Sequence, residues 1–94
     1  MNNLDLSNYD DVSLFQVIIN CSDRVNAGLL LTLNELEQER IWGLISKGHK
    51  YILLIEMEGM FPIIKKTDLD EYVNKFISKT EELLKMGRII MRKY

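Results

Sequence analysis

The chain has one cysteine, one proline, one histidine and one tryptophan in 94 residues, and each scarcity narrows what it can be. A lone Cys21 excludes an internal disulfide framework and a Cys-rich zinc site, and it suits a reducing compartment. A lone His49, set between Gly48 and Lys50, has no second His or Cys at ligand spacing. A surface or capping role therefore outweighs metal binding or general base work, and no metal site and no cofactor is expected. No apolar run approaches the roughly 18 residues needed to span a bilayer. The first ten residues contain no Lys or Arg, so neither an export signal nor a membrane span is expected, and a cytoplasmic location is. A strong charge of one sign is missing too. With 12 basic against 14 acidic residues the net charge is -2, a poor background for phosphate-driven nucleic-acid binding. P-loop, Gly-rich dinucleotide turn, Gly-x-Ser-x-Gly elbow, His-Glu-x-x-His and EF-hand patterns are all absent.

What is present suits a globular chain. Hydrophobic residues make up 47% and charged residues 28%, enough apolar material for a core and too little net charge for disorder. The length fits one domain. Residues 1–11, rich in Asn and Asp, read as a flexible arm able to dock through Leu4, Leu6 and Tyr9. Residues 12–94 read as a single α+β domain.

Residues 12–21 alternate so that Phe15, Val17, Ile19 and Cys21 share one face, which favours a strand. A helix from Asp11 to Ala27, N-capped by Asp10 and stopped at Gly28, is the competing reading. The turn formers Asn20, Ser22, Asp23 and Asn26 tip the balance toward the strand. Thr32 and Glu35 have capping-box spacing, which predicts a helix over 33–47 ending at Gly48. Gly43 inside it predicts a close approach by another element. Two β-rich runs around Glu58-Gly59 predict a hairpin of 51–57 with 60–65. Its core side would carry Tyr51, Leu53, Ile55 and Met57. Its other side would carry Ile52, Leu54, Phe61 and Ile63, too apolar for open water. Thr67 and the repeat from Leu69 to Leu84 predict a helix over 68–86, with Gly87 closing it. Residues 88–94 are equally compatible with strand, helix or tail.

The expected fold is thus a small antiparallel sheet packed by two helices, with a ferredoxin-like βαββαβ order as the alternative. Pro62 argues against the latter, because it lacks the N–H that an interior strand must donate. Leu31, Thr32 and Glu35 echo the start of a helix-turn-helix, but the segment to Gly48 is too short for two helices and a turn.

The functional expectation follows from composition and from surface. No reactive constellation stands out: Cys21 follows a Val-Ile-Ile run and reads as buried, and Glu56, Glu58, Lys65 and Lys66 only loosely echo a nuclease site. An enzyme is therefore not expected. Met57, Met60, Phe61, Ile63 and Lys65 form the candidate partner-binding patch, since Met and aromatic side chains suit contact surfaces. The leading expectation is a non-enzymatic interaction module, a small cytosolic regulator or inhibitor acting by surface occlusion, with a homodimer covering the hairpin face. The Asn, Ile and Lys content is compatible with a low-G+C bacterium or its phage. A nucleic-acid-associated protein using Lys65, Lys66, Lys85, Arg88, Arg92 and Lys93 is the second expectation, and a small-ligand sponge the third.

Overall fold

Four short polar side chains set the architecture by accepting backbone N–H groups where helices begin. Asp10 Oδ1 accepts from Ser13 at 2.7 Å, Ser22 Oγ from Val25 at 3.2 Å, Asn34 Oδ1 from Glu37 at 2.9 Å and Ser46 Oγ from His49 at 3.1 Å. They open, in turn, helices α1 (Asp11–Asn20), α2 (Asp23–Leu30), α3 (Glu35–Trp42) and α4 (Lys47–Met60). Helix α5 (Lys66–Lys85) follows, and a single 3-10 turn, Leu6–Asn8, precedes them all. The structure, a computed structural model, describes residues 4–92. Among the described residues there is no β-strand, only one antiparallel bridge joining Tyr9 to Met91.

Helix α2 lies at the centre. Val25, Asn26, Ala27, Gly28, Leu29 and Leu30 are all buried, as expected of a helix with no polar face to keep wet. Both α4 and α5 pack on it, and α1 packs on α5. The approach of α5 is closest at Gly28, where a Cβ would lie 2.5 Å from the Tyr72 ring and 2.7 Å from the Tyr72 Cβ. Only glycine fits there. Leu14, Val17 and Ile18 of α1, Leu53 of α4, and Val73, Phe76 and Leu83 of α5 complete the core. Asn26 sits among them because its Nδ2 donates to the Ile18 carbonyl at 2.8 Å, holding the bend between α1 and α2.

Polar clamps close the two ends of the chain against this core. The Arg40 guanidinium donates to the carbonyls of Leu6 and Tyr9, each at 2.6 Å, and to Asp11 Oδ1 at 3.1 Å, tying α3 to the first turn. Buried Tyr9 hydrogen-bonds Thr80 at 2.8 Å, while Thr80 donates to the Phe76 carbonyl and Phe76 packs on the Tyr9 ring. Ser13 Oγ donates to the Ile90 carbonyl at 2.9 Å and accepts the Ile90 N–H at 3.2 Å. The tail reaches that position because Gly87 (φ 70) reverses the chain after α5. The Arg88 N–H then bonds the Leu83 carbonyl and the Gly87 N–H the Leu84 carbonyl, a Schellman ending.

The structure overturns the α+β expectation, and each correction has a local cause. The expected hairpin of 51–57 with 60–65 is α4 and the turn after it: Glu58 and Gly59 continue the helix, which ends at Met60 just before Pro62. An unbroken apolar run satisfies either period, and the Ser46 cap decides for the helix. The ferredoxin-like alternative falls with the sheet. Residues 12–21 form α1 instead of a strand, on the Asp10 cap, and the turn formers at 20–22 separate two helices. The helix expected over 33–47 begins two residues later and ends at Trp42. The capping box is Asn34 with Glu37, whereas Thr32 donates back to the Leu29 carbonyl at 2.7 Å. The close approach expected at Gly43 occurs at Gly28. Residues 88–92 form neither helix nor strand, apart from the bridge at Met91. Within the segment expected as an arm, Leu6 and Tyr9 are each 3% exposed.

Gly28→Ala should destabilise the fold by about 1–3 kcal/mol, because the added methyl overlaps an aromatic ring and backbone-proximal carbon that cannot both retreat. Gly43→Ala, where a Cβ meets nothing closer than 3.5 Å, should be neutral or mildly stabilising. Urea unfolding of the two variants tests the pair, and equal costs would contradict the placement of α2 against α5.

Arg40→Lys should lower stability by about 2 kcal/mol, nearly as much as Arg40→Ala, since one ammonium cannot reproduce a fork that meets two carbonyls and a carboxylate. Thermal unfolding of both variants is the check, and full recovery by Lys would mean that charge alone matters.

Candidate interaction surface on helix α4

Helix α4 carries large apolar residues outside its inward stripe as well as on it. Leu53 and Met60 are buried, Leu53 belongs to the core, and Met57 packs partly against it. The opposite half leaves Tyr51 66%, Ile52 47%, Leu54 40% and Ile55 50% exposed. Phe61 and Ile63, in the turn that follows, are exposed at 73% and 80%. Together these side chains expose more apolar area than the scattered single residues usual on a small monomer, which makes this the candidate contact surface.

The underside is fixed to the core by specific contacts. His49 Nε2 lies 3.4 Å from Asp23 Oδ1, joining the first turns of α4 and α2. Lys50 Nζ stands 5.4 Å over the Trp42 ring. Glu56 approaches Arg24 at 3.8 Å, and Arg24 Nε donates to the Tyr72 hydroxyl at 2.8 Å, which holds its guanidinium above the ordinary arginine range. These bonds anchor one side of α4 and leave the other undisturbed. Two glycines, Gly48 and Gly59, lie inside the helix with nothing within 4 Å of a prospective Cβ. Each weakens a helix by about 1 kcal/mol relative to alanine, and packing within the chain does not require either.

The candidate partner residues divide. Phe61, Ile63 and Lys65 are exposed, Met57 is half-buried and Met60 is 3% exposed. Tyr51 and Ile55, assigned to a core side when the segment was read with a period of two, join Ile52 and Leu54 on the open face of the helix. The candidate nucleic-acid cations are not gathered. Lys65 and Lys66 begin α5 while Lys85 ends it, about 30 Å away by helix rise. Arg88 and Arg92 lie at the Lys85 end; there the Ser13 N–H and hydroxyl hold Asp10 below the usual carboxylate range, with a smaller contribution from Arg92. Lys93 lies outside the described residues.

Chemistry elsewhere is sparse. Cys21 is partly buried, and desolvation pushes its thiol up to about 11, the opposite of what an attacking thiolate needs. Among the described residues no three His, Cys, Asp or Glu side chains come together to hold a metal. No helix among them is long and apolar enough to cross a membrane. The hollows are shallow; one of about 220 Å³ beside Ile63 is lined by Arg24, Ile64, Asp68 and Tyr72. Compared with protein-family models and with curated proteins, the chain matches none.

Cys21 should react with iodoacetamide at pH 8 about 100-fold more slowly in the native chain than after unfolding, since a thiol held up near 11 is almost wholly protonated. The same shift has no effect on stability at neutral pH, where the thiol is protonated folded and unfolded, and lowers stability progressively as pH rises from the unfolded thiol's pKa toward about 11. Equal alkylation rates in the two states would show the thiol to be open.

Proposed function

We propose that this chain is a small non-enzymatic protein-interaction module, a regulator or inhibitor that works in the cytosol by covering part of a partner's surface. The observation that carries the reading is the apolar face of α4 continued by Phe61 and Ile63, six large side chains at least 40% exposed on a framework held from beneath. Apolar and aromatic side chains clustered on a rigid element are the usual centre of a protein interface, where desolvation supplies most of the affinity. The cytosolic placement is supported by the single, half-buried Cys21, which needs no oxidising compartment. A partly desolvated thiol with a raised pKa, and cations split between the two ends of α5, give catalysis and nucleic-acid binding less support.

A photo-cross-linking residue in place of Phe61, expressed in native host cells, should give discrete protein adducts. The same residue in place of Leu36, exposed at 76% but on α3, away from the patch, should give none above background. Equal yields from the two positions would remove the reading.

A further inference from the structure

The face of α4 has a symmetry in its own sequence. Gly48, Ile52, Ile55 and Gly59 recur at spacings of four, three and four, which keeps them on one face of the helix. The two glycines are equidistant from the midpoint between Leu53 and Leu54, and so are the two isoleucines. All four are exposed, and nothing in the chain approaches either glycine. Laid antiparallel against a copy of itself, the stripe sets glycine against glycine at both ends and isoleucine against isoleucine in the middle. A two-fold interface requires this self-complementarity of a surface.

Charge selects the same orientation. Lys47 and Glu58 are exposed, on the same flank of this stripe at opposite ends of α4, and neither has an ion-pair partner among the described residues. In an antiparallel pair of helices each flank meets its own two-fold mate, so Lys47 faces the copy's Glu58 and Glu58 the copy's Lys47. A parallel pairing would set this flank against the copy's opposite flank and lose both contacts. The area also suits. At their fractional exposures, Tyr51, Ile52, Ile55, Phe61 and Ile63 present roughly 600 Å², below but approaching the ~800 Å² that one partner contributes to a standard interface.

We infer that the open face of α4 is occupied by a second copy of this chain, in an antiparallel two-fold pairing of α4 with α4 centred between Leu53 and Leu54. This rests on α4 being a protein contact face and names its first occupant. The glycines let the helix ends approach, Ile52 and Ile55 interlock at the centre, and Phe61 reaches over the first turn of the copy's α4.

Sedimentation equilibrium of the full chain up to about 100 μM should show a dimer with a dissociation constant in the micromolar range or below. Ile55→Glu, at a half-exposed position where the fold tolerates charge, should weaken it at least about 100-fold while circular dichroism and melting stay unchanged. Lys47→Glu should weaken it about tenfold, and adding Glu58→Lys should restore it to within about threefold, because the reversed charges again pair across the two-fold. A monomer throughout, a dimer indifferent to Ile55→Glu, or a charge swap that fails to rescue would each overturn the pairing. A monomer that still gives adducts with another protein from position 61 would overturn the second copy alone and leave the contact face standing. Loss of both would remove the face itself.

Discussion

The fold depends on Gly28 letting α5 come within side-chain reach of the α2 backbone. Helix α2 has only eight residues and no polar face along Val25–Leu30, so water must be excluded from all around it. Tyr72 closes one side over Gly28, while α1 and α4 help to close the rest. The helices around it then need only one inward stripe each. For α1, Leu14, Val17 and Ile18 supply it, and for α5, Val73, Phe76 and Leu83. The rest of α5 is mostly polar, while α1 still leaves Val12 and Ile19 exposed. In helix α4, Leu53 and Met60 do all that the core asks of it, and a second set of large apolar residues is left facing out.

The clamps at the chain ends hold the first turn and the tail against the core on which α4 packs. Arg40 fastens the first turn to α3, Ser13 fastens the tail to α1, and Tyr9 joins that first turn to α5 through Thr80. Each links segments far apart in sequence and uses geometry as well as charge, so local opening at one end strains the other. Contact surfaces built on such a frame lose little entropy when they bind. The patch on α4 therefore costs stability in the free chain, through exposed apolar area and two helical glycines, without costing order.

Sequence reasoning reached some of this and missed the rest for one physical reason. Gly87 as a helix ending and an amphipathic helix near 68–86 were legible because they are local signals with a single reading: α5 runs Lys66–Lys85 and its polar face is distinct. Residues 51–65 and 12–21 were not. Their β-branched and aromatic residues raise strand propensity, but propensity spans only about 1 kcal/mol and yields to tertiary context. The Ser46 and Asp10 caps and the burial of one stripe outweigh it. The excess of apolar surface around residues 52–63 was visible as composition, since Ile52, Leu54, Phe61 and Ile63 are exposed whichever period is used. Which residues join them was not, because Tyr51 and Ile55 change sides when the period changes from two to 3.6. Gly28 looked like a stop because its role is set by Tyr72, on another helix and unreadable from its neighbours.

The change from hairpin to helix alters the kind of recognition available. An exposed strand edge offers unpaired N–H and C=O groups, which bind any extended chain with little regard for sequence. A helix has already used those groups internally, so α4 presents only side chains, and discrimination rests on their shape and spacing. That demands complementarity from the partner. A single exposed residue such as Leu36, set on α3 among Glu35, Glu37, Glu39 and Arg40, supplies none despite an exposure above 70%, because it lacks neighbours to form a desolvated centre. On α4 the large side chains stand one turn apart on a rigid rod, with Lys47 and Glu58 at opposite ends to fix polarity. If α4 is a contact face as proposed, that order of grease and charge would distinguish a partner's direction as well as its presence. A flat apolar patch cannot.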